Sequence, residues 1–201
     1  LRPSGGKPRP ERQKFKLSLR HKTSPVNFNY YGHHQYAKPT TQGFELGVIP
    51  ADPVNAFRSG EKLVFDGILP ADIDVAVSID LLGKADARDA GLLVRTTGPS
   101  VGYDSQRGYF AGLIPKTGLV IFGKTDGTTW TELARQKIDL DPKQSQRLRV
   151  ICRGDHFIVN LNGRQLMSVK DQTYDRGTIG LRVVDTHAIF TDLEFSPSNN
   201  P

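Results

Sequence analysis

Apolar and polar residues alternate along most of this chain with a period of two, the spacing of a strand that buries one face and wets the other. The clearest case is Ile73–Leu81. Ile73, Val75, Val77, Ile79 and Leu81 fall on one side, Asp74, Ala76, Ser78 and Asp80 on the other. Shorter runs of the same kind cover residues 44–49, 62–65, 107–114, 119–122, 146–152, 157–161, 164–169, 178–184 and 188–195, with a further strand starting at Trp130. Nearly every run closes on Gly, Pro, Asp or Asn, as in a chain that folds back on itself in antiparallel hairpins. Residues 90–94 are continuously small or apolar, which predicts a strand in the middle of a sheet. Asn162-Gly163 between two alternating runs predicts a type I′ turn, and Asp126-Gly127 a second hairpin. In the last two strands Ile179, Leu181 and Val183 are expected to share one face, and so are Ile189, Thr191, Leu193 and Phe195. No stretch carries a helical period. The fold class expected is all-β: an antiparallel two-sheet jelly-roll sandwich behind a basic, poorly structured N-terminal arm.

Charge separates the arm from the sandwich. Residues 1–40 hold nine Lys or Arg against the single acid Glu11, and the other 161 residues hold eighteen basic and twenty acidic groups. The net charge of +6 therefore belongs to the arm. The division expected is a Pro/Gly-rich basic arm over 1–27, a sandwich over 28–196 and a tail over 197–201. Such an arm is either a solvated linker or a segment that attracts an anionic partner without sequence specificity. Within it, Lys14-Phe-Lys-Leu-Ser-Leu-Arg20 alternates and predicts an edge strand with Phe15, Leu17 and Leu19 facing inward. The aromatic run over residues 28–36 is expected as a loop docked over one end of the sandwich. Its adjacent His33 and His34 would point to opposite faces and so cannot hold one metal between them. The chain starts at Leu1 and not Met, which suggests a mature product or a piece of a larger protein. No apolar run approaches the ~18–20 residues of a membrane span. The lone Cys152 excludes an internal disulfide and a cysteine-rich zinc site, and its inward place between alternating residues predicts a core position. Arg153-Gly-Asp155 falls where a hairpin turn must be, and Gly-Asp is ordinary turn chemistry.

The segment Leu148-Arg-Val-Ile-Cys-Arg-Gly-Asp-His-Phe-Ile-Val-Asn-Leu-Asn-Gly163, then Asp171, Gly177-Thr-Ile-Gly-Leu181 and Ala188-Ile-Phe-Thr-Asp-Leu-Glu-Phe195, resembles the concanavalin A-like lectin/glucanase superfamily. Within it the likeness is to 3-keto-disaccharide-hydrolase-like domains and levan-binding carbohydrate modules. Gly91-Leu-Leu-Val-Arg95 and Gly108-Tyr109 match a paired motif of that family. The resemblance spans roughly residues 44–196. It implies a sandwich that binds an oligosaccharide or polysaccharide on a hollow face, as a non-catalytic module of a larger protein, with an extracellular or periplasmic setting. It departs from the hydrolase-like members at Phe110 and Ala111, where an acid and a Gln are expected. Glycosidic cleavage needs two carboxylates across the bond, and the spacing of Asp104, Asp171, Asp175 and Asp185 pairs none of them. A glycoside hydrolase-like enzyme acting on a modified disaccharide is the alternative; a structural sandwich that brings the arm to an anionic partner is another. Lectin-like sandwiches often hold a structural calcium ion, but no Asp-x-Asp-x-Asp loop predicts one here and no cofactor is expected.

Sugar recognition needs planar polar groups for vicinal hydroxyls and an aromatic face for the ring. Arg95, Tyr109, Arg182, Asp185 and Trp130 supply these types and are the candidate carbohydrate-binding residues, Arg95 and Tyr109 through the family motif. Competing roles stand beside each. Arg95 could pair with an acid on a neighbouring strand, Tyr109 and Trp130 could pack, and Asp171 could accept backbone amides of its own loop.

Overall fold

The computed structural model describes residues 15–17, 19, 27–33, 37–47, 60–82, 88–141 and 143–198. Among them there are strands and turns and no helix. The strands are β1 (Phe15–Leu17), β2 (Phe28–Tyr31), β3 (Ala37–Pro39), β4 (Phe44–Gly47), β5 (Gly60–Phe65), β6 (Ile73–Leu81), β7 (Asp89–Thr97) and β8 (Arg107–Ile114). They continue with β9 (Leu119–Asp126), β10 (Trp130–Lys137), β11 (Gln146–Arg153), β12 (His156–Leu161), β13 (Arg164–Lys170), β14 (Thr178–Val184) and β15 (His187–Pro197). One sheet has eight strands in the order β13-β12-β11-β6-β15-β4-β3, with β1 added on β15; the other has seven, in the order β10-β9-β8-β7-β14-β5-β2. Every pairing is antiparallel.

The alternation read from the sequence is what joins the layers. Val75, Val77 and Ile79 of β6 and Leu148, Val150 and Cys152 of β11 enter one continuous core. From the other sheet come Leu92 and Val94 of β7, Ala111 and Leu113 of β8, and Ile179, Leu181 and Val183 of β14. All are essentially solvent-free, so each larger side chain contributes on the order of 1.5–3 kcal/mol by burial. Burial also pushes the Cys152 thiol up to about 12, so this residue is packing and not a nucleophile. Residues 90–94 run through the centre of the seven-stranded sheet, which explains their unbroken apolar character. Asn162 and Gly163 both take positive φ, 50° and 83°, as a type I′ turn requires.

Two expectations are corrected. Phe28–Tyr31 is an edge strand on β5, not a docked loop, because its alternation lets Phe28 pack edge-on against Phe65. A bulge in β15 at Asp192, φ 48°, shifts the alternation there. Ala188 and Phe190 face the core before it and Leu193 and Phe195 after it, while Ile189 lies outside that cluster. The edge strand expected within the arm is present as β1, with Leu19 buried just beyond it. Phe15 stacks on Phe195 at 5.4 Å yet stays 42% exposed. The rest of the arm, the whole anionic-partner reading that depends on it, and His34 lie outside the described residues.

Candidate functional site

Strand β7 carries an irregularity that creates the site. Ala90, Leu92 and Val94 face the core, so simple alternation would send the next residue outward. Instead Arg95 has φ 49°, and the register slips against both neighbours, between Val94 and Thr97 on β8 and between Thr178 and Gly180 on β14. A positive φ at a non-glycine residue costs on the order of 1–3 kcal/mol and persists only where surroundings enforce it. Here two glycines do so. A Cβ on Gly177 would lie 2.3 Å from the Arg95 carbonyl carbon, and one on Gly108 2.7 Å from the Arg95 oxygen. The glycine of the Gly108-Tyr109 motif is thus the residue that lets the bulge close.

The bulge turns the Arg95 guanidinium toward the inner end of the sandwich, 5.0 Å above the Phe157 ring. Its Nε donates to the Ala71 carbonyl and one Nη to the Tyr174 carbonyl, each at 3.1 Å, while the other Nη meets an Asp72 carboxylate oxygen at 3.4 Å. Asp72 in turn accepts the Gly154 amide at 2.8 Å. Arg95 and Asp72 together tie three loops: β5–β6, the β11–β12 turn and β13–β14. These loops surround an open cleft of about 540 Å³ whose lining includes Arg95, Asp72, Asp155, Gln172, Tyr174 and Asp175. Three of the five guanidinium N–H groups are used within the protein and the side chain is only 2% exposed, so Arg95 chiefly braces the cleft from beneath. Gln172 and Asp155 are exposed, and their side chains have no partner among the described residues.

Beneath the cleft lies a polar anchor. Tyr109 is fully buried; its hydroxyl donates to Asp171 at 2.7 Å and accepts the Tyr174 amide at 3.1 Å. Asp171 also accepts Lys124 Nζ at 2.6 Å and the Thr173 amide at 2.9 Å. Burial works against ionisation of Asp171, but the hydrogen bonds from Lys124, Tyr109 and Thr173 outweigh it and hold the carboxyl well below the usual range. The Tyr109 hydroxyl is pushed up, first by burial and then by its bond to Asp171. Tyr174 packs edge-on against Tyr109 and donates its own hydroxyl to the Thr125 carbonyl at 2.8 Å. The wall of the cleft is therefore a fixed aromatic ring.

The five candidate residues do not converge. Arg95 lines the cleft and Tyr109 supports it from the core. Arg182 is buried on the outer face of the seven-stranded sheet, 4.2 Å above the Phe110 ring and within 3.5 Å of Asp89 and 3.4 Å of Asp104. Asp104 belongs to the β7–β8 loop, and Lys62 donates to Gly102 of the same loop, which therefore lies across that face. Trp130 sits on the same outer face, beyond Phe110 in strand order, edge-on to it at 6.2 Å and against Gly123. Asp185 follows β14 and meets Arg88 at 3.4 Å. Its neighbour Val184 is opposite Asp89, six residues and so roughly 20 Å along β7 from Arg95. Sequence reading passed over Tyr174, Gln172, Asp72 and Asp155. Their loops lack periodicity, and the one available signal was an aromatic residue held between Asp171 and Gly177.

Two antiparallel sheets in this arrangement define a concanavalin A-like, lectin-type sandwich. No family model matches the sequence. The chain is similar to a levanase from Bacillus subtilis (strain 168), 29% identical over 90 residues. The match takes in 45% of this chain and 13% of that enzyme's length. Among solved structures it superposes on carbohydrate binding module CBM66 from Bacillus subtilis with a TM-score of 0.70 at 20% identity, covering 84% of this chain and 94% of that one. It also superposes on the exoplasmic/lumenal domain of VIP36 in a Ca2+/Man3GlcNAc-bound form, with a TM-score of 0.66 at 12% identity, covering 92% and 89%.

Proposed function

We propose that this chain is a non-catalytic carbohydrate-binding module of a longer protein, and that the cleft at the Arg95 end of the sandwich receives the glycan. The observation that carries the reading is the meeting, in one open cleft, of the exposed Gln172 amide and Asp155 carboxylate with Tyr174, whose hydroxyl and amide are both held. A planar donor suits vicinal hydroxyls and an aromatic ring suits the C–H face of a sugar. The cleft is within the size range of small-ligand sites. The likeness to a levanase and to a carbohydrate binding module supports the same reading. Catalysis draws no support from the cleft. Glycosidic cleavage needs two carboxylates free to act across the bond, whereas of the three in the lining Asp72 is tied to Arg95 and Gly154 and Asp175 to Arg176, which leaves Asp155 alone. The test is calorimetric titration with levan and a panel of neutral polysaccharides. Gln172→Ala with Asp155→Ala should weaken binding at least tenfold, and raising salt from 50 to 500 mM should leave wild-type affinity nearly constant. Failure of every glycan to bind would overturn the proposal. Binding that falls steeply with salt would instead assign it to the basic arm.

A further inference from the structure

The loop between β5 and β6 has a second cleft on its other side. This one, about 530 Å³, lies against β2 and the end of β7, and its lining includes Asn29, Tyr31, Thr96, Thr97 and Thr178. Ile68 lines both clefts and stands wholly exposed between them, 102% of its reference area. Ile68 is therefore the ridge that the two openings share. The bulge in β7 accounts for the pairing: Arg95 lines the first cleft and the very next residue, Thr96, the second. Thr96 is 1% exposed, and its buried hydroxyl has no hydrogen-bond partner among the described residues. Buried polar atoms are normally satisfied, so this orphan marks a place where a ligand hydroxyl or an ordered water completes the structure. Among the described residues the lining is rich in hydroxyl, amide and aromatic groups and holds no cation; Asp66 is the one charged residue among them. That chemistry suits a neutral polyol chain and disfavours an anion.

Resting on the carbohydrate reading above, we infer that the ligand is an oligosaccharide chain lying in both clefts and crossing the Ile68 ridge, with the second cleft serving as an extension subsite. The probe is a set of levan fragments of one to five fructose units, titrated calorimetrically against the whole chain. Wild-type affinity should rise at least tenfold with length once a fragment is long enough to pass Ile68. Tyr31→Ala should abolish that rise and leave the affinity of the shortest binding fragment unchanged. Because Tyr31 also packs beside Val64 and Leu93, Asn29→Ala with Thr97→Val provides a second variant that spares the packing and should cut the rise at least threefold. An affinity independent of fragment length, or a rise that both variants retain, overturns the extension subsite and leaves the first cleft standing. Absence of binding by every fragment overturns both.

Discussion

Replacing Tyr109 by Phe removes one oxygen atom and creates no cavity, so its effect isolates the polar anchor beneath the cleft. The hydroxyl donates to an ionised Asp171, a kind of bond worth about 1.5–3 kcal/mol, and losing it also strips the half-buried Tyr174 amide of its acceptor, at about 1 kcal/mol. Asp171 keeps Lys124 and Thr173, so the total expected is about 2–4 kcal/mol. For a domain of this size that lowers the melting temperature by roughly 5–12 °C. Scanning calorimetry at pH 7, with urea unfolding at an unchanged m-value, measures it. A second arm uses pH. The Asp171 carboxyl is lowered in the folded state, so its stabilisation is complete above the unfolded carboxylate value of about 3.9 and fades as pH falls from there through the folded value. The stability gap between wild type and Asp171→Asn should therefore narrow below about pH 4. If Tyr109→Phe shifts stability by less than about 0.5 kcal/mol, the hydroxyl does not anchor the loop and the reasoning fails.

Gly177→Ala should cost at least about 2 kcal/mol and weaken glycan binding, because its φ is +146° and the new Cβ would meet the backbone of Arg95; a variant of native stability with Arg95 undisplaced in a crystal structure would contradict this. Lys62 is lowered to about 8, first by burial and then by Arg182. The unfolded chain holds that proton up to about pH 10.4, so this group makes stability rise with pH between about 8 and 10. Urea midpoints across that window should climb less in Lys62→Met than in wild type, and parallel curves for the two proteins would refute the assignment.

The layers of this fold were readable in the sequence because alternation is a local property. The limits of β6, β8 and β14 fall where the patterns of Ile73–Leu81, Arg107–Ile114 and Thr178–Val184 begin and stop. The turn at Asn162 and Gly163 was equally visible, since its chemistry is contained in two residues. The site was legible only in part. Arg95 stood out as a charge closing an apolar strand, but its direction depends on a bulge held by Gly108 and Gly177, which are distant in sequence. The inward face of Tyr109 follows from its spacing with Ala111 and Leu113, whereas its partner Asp171 lies 62 residues away. Arg182 looked available because nothing near it in the chain reveals that the β7–β8 loop brings Asp104 back over it. Tyr174 and Gln172 sit in a loop whose conformation is set by Lys124, Tyr109 and Asp155, and no local pattern announces them.

The short strand near the N-terminus has a bearing on how the sandwich behaves in company. Phe15–Leu17 runs beside residues 193–195 of the final strand, beyond the stretch that β4 protects. Cutting the chain at residue 28, as its composition invites, would leave three backbone positions and the Phe195 ring open along one margin. An open margin of this kind is a template for a second molecule. The trimmed protein should self-associate more readily than the intact one, as sedimentation at matched concentration would show.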